Sequence, residues 1–193
     1  EFQVYLKSSG SYDKADKDES DILDCNEDGY AKSKDLPYGV YTVHQIKGKE
    51  GKDIMPDFDV FISENGKTYK YLINNAPFTA YLKITKVDRE TGKVIPYAGA
   101  GFEIYDSNGK KVSQTFTYPK KTTISTYYTN TEGYLITPEK LDYGKGYSLV
   151  EVQAPYGYVL DSTPIKFDVT RDNSELEDAL TLIKVKRDNI AQK

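Results

Sequence analysis

The stretch that decides the fold runs from Gly146 to Leu160 and reads GYSLVEVQAPYGYVL. Side chains of a β-strand point alternately to its two faces, so Tyr147, Leu149 and Glu151 share one face. That face is apolar apart from the glutamate, and we therefore predict that the carboxyl group points into a core. Proteins that keep a buried carboxylate neutralise it, pair it or use it for proton transfer, because an unpaired one is costly.

A lysine lies in a similar position earlier in the chain. In the segment YLKITKV, residues 81–87, the same alternation groups Lys86 with Leu82 and Ile84. A turn-forming sequence, residues 88–92, follows directly. We expect the amine of Lys86 to be buried as well.

The third polar residue is Asn189, at the end of the segment TLIKVKRDN. Parity places it on one face with Ile183 and Val185, although Arg187 interrupts that apolar face. From the residues alone, two interpretations stay open. The three side chains form either a buried Lys–Glu salt bridge with asparagine as a strand-end cap, or a reactive site.

An inward lysine on a first strand, an inward glutamate within an E-x-x-A-P-x-G-Y string and an asparagine ending the last strand resemble a known family. It comprises the Cna B-type, prealbumin-like or SpaA-type domains of Gram-positive surface proteins and pilins, and the resemblance covers about residues 79–193. The resemblance implies a spontaneous intramolecular isopeptide bond, with Lys86 as nucleophile, Asn189 as acceptor and Glu151 as the catalytic proton shuttle. Such a single-turnover self-reaction would not make the protein an enzyme.

The chemistry of that bond agrees with the expected burial. An ammonium group cannot attack a carbonyl carbon, and burial lowers the pKa of a lysine such as Lys86. A neutral carboxyl group of Glu151 could hydrogen-bond to the amide oxygen, polarise it and pass a proton to the departing amine. Strands that hold the three groups together would supply the geometry.

Composition predicts an all-β protein. The 193 residues include 18 Tyr, 14 Gly and 8 Pro but no Trp. Short runs of Val, Ile, Thr, Tyr and Phe alternate with Gly, Asn and Asp turns, and no segment has persuasive helical periodicity. The formal net charge is −4 with dispersed positive residues. This pattern argues against nucleic acid or a membrane as partner.

The sequence contains few residues that could bind a metal ion or a cofactor. His44 is the only histidine, and Cys25, the only cysteine, can form no internal disulfide. The acidic run 13–21 lacks the glycine and the terminal glutamate of an EF-hand loop. We predict no metal site and no cofactor.

The chain repeats itself once, which predicts two tandem Greek-key, immunoglobulin-like β-sandwich domains, residues 1–77 and 78–193. The matching segments are Phe2–Tyr5 with Phe102–Tyr105, Glu27–Tyr30 with Thr131–Tyr134, Leu36–Val43 with Leu141–Leu149, Phe58–Val60 with Phe167–Val169, and Asn74–Asn75 with Asp188–Asn189.

The first copy is expected to lack its N-terminal strand, because the counterpart of Lys86 would lie upstream of residue 1. Gln45 takes the place of Glu151 in this copy and is a poor proton shuttle. Asn75 remains as an acceptor without a predicted bond. We expect the open sheet edge of this copy to invite pairing with a strand of a neighbouring molecule.

The function predicted is that of a structural stalk or shaft module in a cell-wall-anchored surface protein or pilin. Such a module would be extracellular, on a Gram-positive bacterium, with neighbouring domains of the same protein as partners. The alternative is an adhesin module that binds host matrix protein or glycan through tyrosines such as Tyr127, Tyr128 and Tyr134. The two predictions differ in whether the module itself has a ligand.

Overall fold

A computed structural model describes all residues from Glu1 to Lys193. The chain divides into two compact units, Glu1–Ala76 and Pro77–Lys193, and the boundary predicted from the sequence lies one residue further on. The predicted all-β class is confirmed, since the regular structure consists of β-strands and the only helices are four single turns. None of these turns has the length and apolar character of a membrane-crossing helix.

The first unit contains one antiparallel sheet in the order β2-β1-β3-β4. Its strands are β1 Phe2–Leu6, β2 Ser20–Leu23, β3 Gly39–Gln45 and β4 Phe58–Ile62. Alternation on β1 and β3 buries one face of this sheet, built around Phe2, Val4, Tyr41, Val43 and Val60. A groove of about 1130 Å³ borders that face.

The second unit contains two main sheets and a small hairpin. Its strands are β5 Thr79–Asp88, β6 Gly101–Tyr105, β7 Gln114–Phe116, β8 Thr122–Ile124, β9 Tyr127–Tyr128, β10 Tyr134–Ile136, β11 Leu141–Asp142, β12 Gly144–Gln153, β13 Ile165–Val169, β14 Ser174–Glu177 and β15 Leu180–Asn189. One sheet has the order β10-β5-β15-β14, with β11 also on β5, and the other has the order β13-β12-β6-β9.

The two main sheets of the second unit share one hydrophobic core. Leu82 and Ile84 of β5 and Ile183 of β15 enter it from one sheet, while Ile104 of β6 and Leu149 of β12 enter from the other. The unit is therefore a β-sandwich, with Glu151 on one sheet and Lys86 and Asn189 on the other. Strands β5 and β15 are adjacent and parallel, which brings the ends of both strands to the same edge of the sandwich.

The two units share the register of their matching sheets. Phe2 is opposite Gln45 in the β1–β3 pair, as Phe102 is opposite Glu151 in the β6–β12 pair. Gln45 therefore occupies the place in the first unit that Glu151 occupies in the second.

The first unit differs from the predicted sandwich because only one of its sheets forms. Residues 30–32 and 69–75, which match β10 and β15, lie outside strands. In the second unit β5 hydrogen-bonds to both β10 and β15 and so joins them into a sheet. No described strand of the first unit corresponds to β5. Residues 30–32 and 69–75 therefore have no strand between them to pair with, and they remain irregular.

Candidate crosslinking site

Lys86 is held by two main-chain hydrogen bonds along one edge of its strand. Its N–H donates to the carbonyl of Gly133 (2.9 Å), and its own carbonyl accepts from the N–H of Ile95 (3.0 Å). Alternation along β5 sends the side chain inward, where it is 0% exposed, and the amine lies 5.7 Å from the ring centroid of Phe102. The burial expected from parity is confirmed.

Gly133 brings β10 close to this part of β5. Its φ of +84° lies in the left-handed region, and a Cβ at this position would be 2.0 Å from the carbonyl oxygen of Ile95. Only glycine fits such a close approach without displacing the backbone. The turn at Gly133 thus depends on the residue type that the sequence provides there.

Glu151 reaches the same interior from the opposite sheet. It lies on β12, opposite Phe102 of β6, and is 1% exposed. The pairing of β12 with β6 shifts register just after this residue, between Glu151 and Gln153. The carboxyl group therefore lies at the end of the regular ladder, next to the loop that follows the strand.

Asn189 completes the group from the end of β15, where it is 0% exposed. Its side-chain Nδ2 donates to the carbonyl of Val159 at 2.8 Å. Because a carbonyl can only accept, this contact fixes which end of the amide carries the nitrogen. The amide oxygen consequently faces Lys86.

The three side chains contact one another in a closed ring. Lys86 Nζ donates to Glu151 Oε1 at 2.7 Å and to Asn189 Oδ1, and Asn189 Nδ2 donates to Glu151 Oε2 at 2.7 Å. The N–H of Asp161 donates to the same Oε2 at 3.1 Å. The structure thus brings together all three residues that the sequence singled out in the second unit.

Burial lowers the pKa of Lys86 below its usual value of 10.5. The hydrogen bond and charge of Glu151 oppose this shift, while the positive charge of Arg187 adds to it. The net direction makes the neutral amine, which is the nucleophilic form, more accessible than in a solvent-exposed lysine.

One expected contact is wrong in detail. The sequence-based prediction placed the carboxyl group of Glu151 on the amide oxygen of Asn189, whereas Oε2 lies on the amide nitrogen. The cause is the Val159 carbonyl, which orients the amide with its nitrogen toward the glutamate. This position suits a proton transfer to the nitrogen rather than polarisation of the oxygen.

Arg187 and Asp161 are contacts of the site that the sequence reasoning missed. Arg187 interrupts the apolar pattern of β15 in the sequence, yet it is buried and pairs with Asp161. The available signal was its parity with Asn189, which places a guanidinium on the same face of β15 as that asparagine. Asp161 carried no comparable signal, because it lies in a loop.

The equivalent position in the first unit holds an amide pair. Asn75 Nδ2 donates to Gln45 Oε1 at 2.6 Å and to the carbonyl of Asp53 at 2.7 Å, while Gln45 Nε2 donates to Asn75 Oδ1 at 3.3 Å. The structure thus places Asn75 beside Gln45 much as it places Asn189 beside Glu151. The Gln45–Asn75 pair contains neither the lysine nor the carboxyl group of the second unit.

The residues considered for other roles lie apart from this site. Tyr127 is buried with its hydroxyl on the carbonyl of Val112 (3.1 Å), and burial raises its pKa to about 12, so it offers no surface to a ligand. Tyr128 is exposed and Tyr134 half-buried under Lys83. His44 pairs with Asp57 at 2.7 Å on the surface. No group of three His, Cys, Asp or Glu side chains could hold a metal ion.

Comparison with known protein families gives a match to the second unit. Residues 80–181, just over half of the chain, match the SpaA family, described as a prealbumin-like fold domain. The chain belongs to the SpaA prealbumin-like family. The membership expected from the E-x-x-A-P-x-G-Y string and the inward lysine is therefore confirmed. No curated protein matches the chain.

Several solved structures are similar to this SpaA-type chain. The TIE protein of Bacillus anthracis is 24% identical with a TM-score of 0.52, and the match covers 98% of this chain and 30% of that one. The minor pilin of Streptococcus agalactiae is 20% identical with a TM-score of 0.47, covering 100% and 82%. The shaft pilin SpaA of Lactobacillus rhamnosus GG is 18% identical with a TM-score of 0.40, covering 100% and 87%. The chain spans 30% of the length of the Bacillus anthracis protein, and that likeness shows the fold.

Proposed function

We propose that this chain is a stalk or shaft module of a cell-wall-anchored surface protein or pilin of a Gram-positive bacterium. An isopeptide bond between Lys86 and Asn189 would stabilise its second unit. The observation that carries the proposal is the closed ring of lysine, glutamate and asparagine inside a SpaA-type sandwich. The module would be extracellular, with neighbouring domains of the same surface protein as partners.

The proposed reaction proceeds from the form of the Lys86–Glu151 pair in which the shared proton lies on Glu151, so that Lys86 is a neutral amine and Glu151 a carboxylic acid. The lone pair of Nζ attacks Cγ of Asn189, and the amine proton passes to Glu151 at Oε1. Glu151 gives its own proton from Oε2 to Nδ2. The Cγ–Nδ2 bond breaks, ammonia leaves and the Nζ–Cγ amide remains, so the glutamate ends as it began.

Folding places the reacting groups of this step next to one another. The two 2.7 Å contacts place one carboxyl oxygen beside the attacking amine and the other beside the leaving nitrogen. Both proton transfers therefore occur over hydrogen-bond distance, the second after attack on Cγ has made Nδ2 a proton acceptor. Intramolecular placement of this kind replaces the entropy loss that a bimolecular reaction would pay in its transition state. One turnover consumes the site, which is why the chain is proposed as a structural protein and not as an enzyme.

The proposed bond would act on stability and on mechanics. It closes a loop of 103 residues. Chain-entropy reasoning for disulfides gives about 4.7 kcal/mol for a loop of roughly 100 residues. Because β5 and β15 are the first and last strands of the second unit, tension along the chain would pass through the new bond rather than through the sandwich.

The test of the proposal is the intact mass of the purified chain. Wild type is expected to be lighter than its sequence by one ammonia, whereas Glu151→Gln and Lys86→Met should have the full sequence mass. Lys83→Met is the matched control, since Lys83 lies on the same strand with its amine on the opposite face beside Glu177 (3.2 Å). That variant should still lose ammonia.

The competing interpretation is a permanent salt bridge of Lys86 with Glu151. A wild-type mass equal to the sequence mass would favour it and reject the bond. Loss of ammonia in wild type and equally in Lys86→Met would place the reaction elsewhere in the chain.

A further inference from the structure

A buried ion pair lies next to the Lys86–Glu151–Asn189 site. Arg187 is on β15 two residues before Asn189, on the same face, and is 7% exposed. Its Nη2 is 2.7 Å from the main-chain carbonyl of Asp161 and 2.7 Å from the carboxylate Oδ1 of the same residue. One guanidinium therefore holds both the main chain and the side chain of Asp161.

The loop that contains Asp161 forms one wall of the site. We call residues 158–162 the covering loop. Its Asp161 N–H donates to Glu151 Oε2 (3.1 Å), and its Val159 carbonyl accepts from Asn189 Nδ2 (2.8 Å). Ser162 Oγ adds a hydrogen bond to the main-chain carbonyl of Glu151 (3.1 Å). The loop thus touches the carboxyl group that moves protons and the nitrogen that leaves.

Fold stability is a weak explanation for Arg187. Its Nε is buried with no hydrogen-bond partner, and a buried guanidinium pays a desolvation cost that its ion pair only partly offsets. An apolar residue would instead continue the face that Ile183 begins on β15. The position of Arg187 is better explained by what it does to the covering loop.

We propose that Arg187 and Asp161 are positioning residues for the crosslinking reaction. Their ion pair fixes the covering loop so that Asp161 N–H and Val159 C=O hold the Glu151 carboxyl and the Asn189 amide in the reacting orientation. This inference rests on the proposed isopeptide bond between Lys86 and Asn189.

The charge of Arg187 has a second effect on the same reaction. The charged groups that act on the Lys86 amine are Glu151 from β12 and Arg187 and Asp188 from β15. Glu151 and Asp188 favour the ammonium form, whereas Arg187 favours the neutral amine. Removal of the Arg187 charge should therefore raise the pKa of Lys86 and move the rate of bond formation to higher pH.

The experiment measures the rate of ammonia loss during refolding. The full chain is purified in denaturant before it can fold, diluted to native conditions, sampled into acid and weighed by mass spectrometry. Near-ultraviolet circular dichroism of the tyrosines follows folding separately. Arg187→Met should fold but form the bond at least about tenfold more slowly than wild type, because small misplacements of reacting groups are costly in rate.

Two further variants separate position from charge. Arg187→Lys keeps the charge but loses the longer guanidinium, whose Nη2 contacts both the carbonyl and the carboxylate of Asp161. It should therefore react slowly while its pH profile stays near that of wild type. Asp161→Asn removes the partner charge and should also be slow. Arg89→Met is the matched control. Arg89 contacts the Asp161 carboxylate at 3.0 Å, but its side chain is 42% exposed to water, so the variant should react within about twofold of wild type.

The outcomes are distinguishable. A wild type that never loses ammonia rejects the bond itself, and the positioning role falls with it. A wild type that reacts, together with Arg187→Met or Arg187→Lys reacting at the same rate once folded, overturns the positioning role and leaves the bond intact. Should Arg187→Met not fold, the rate of Asp161→Asn decides.

Discussion

Lys86 is 0% exposed, although lysine is almost never fully buried without a partner. Its surroundings are the ring of Phe102 and two polar partners, Glu151 and Asn189. Burial lowers the pKa of Lys86, which disfavours the ammonium form in the folded chain. Without a crosslink, this residue would therefore destabilise the fold at neutral pH.

That cost gives a pH-dependent prediction for the uncrosslinked protein. The unfolded chain binds the Lys86 proton up to about pH 10.4, while the folded chain releases it at lower pH. The unfolded state thus binds more protons in this window, and the free energy of unfolding of Glu151→Gln should rise as pH increases from the folded pKa of Lys86 toward that value. The measurement is urea unfolding of Glu151→Gln across neutral to alkaline pH.

The control for this prediction is the double variant Lys86→Met, Glu151→Gln. Buried tyrosines such as Tyr127 have raised pKa values and reduce stability at high pH in both proteins, so the difference between the variants isolates Lys86. Parallel pH profiles in the two proteins would contradict the lowered pKa.

At the scale of elements, the position of Lys86 depends on how closely β10 approaches β5. The turn before β10 contributes the Gly133 carbonyl to the N–H of Lys86, and Ile95 packs directly against that glycine. The parallel pair β5–β15 then sets Asn189 at the same edge of the sheet. Three elements that are distant in sequence therefore have to take their native positions before the site can form.

Gly133→Ala tests this junction. The new methyl group would meet the Ile95 carbonyl at 2.0 Å and would occupy a residue with φ of +84°. We expect the second unit to lose about 3 kcal/mol or more of unfolding free energy, because overpacking and a left-handed backbone each cost about 1–3 kcal/mol. Thermal and denaturant unfolding of the purified chain measure the loss.

Gly109→Ala is the control at the same backbone conformation. Its φ is +77°, but no atom lies within 4 Å of the added Cβ, so only the backbone cost of about 1–2 kcal/mol applies. Equal losses in the two variants would show that the close approach to Ile95 is unimportant.

At the scale of the whole molecule, the chain carries two units with unequal amounts of structure. The second unit has two packed sheets and the complete Lys–Glu–Asn ring, whereas the first has one sheet and an amide pair at the matching place. Under tension the proposed bond would let only the second unit transmit load without unfolding. Mechanical behaviour should therefore differ between the two.

Single-molecule stretching of the chain tests this difference. Wild type should release the length of the first unit but keep the 103-residue loop of the second unit closed. Glu151→Gln should release that loop as well, adding roughly 350 Å of contour length at about 3.3–3.6 Å per residue. The extension of the first unit, common to both proteins, is the internal standard. Equal total extensions would contradict the proposal that the bond transmits tension.

The sequence by itself determined the all-β class, the SpaA-type membership and the burial of Lys86, Glu151 and Asn189. The all-β class and the burial of the three residues follow from local pattern, because alternation along a strand assigns every side chain to a face before the partner strands are known. The E-x-x-A-P-x-G-Y string added the family, since it marks the glutamate strand and the turn after it.

Only the tertiary structure decided which atoms meet. The Val159 carbonyl turns the amide of Asn189 so that its nitrogen faces Glu151, and Arg187 becomes a partner of Asp161 instead of a break in the β15 face. Residues 69–75 likewise match β15 in sequence but form no strand. The physical reason is that parity fixes the direction of a side chain but not its partners, which depend on loops and neighbouring strands distant in the chain.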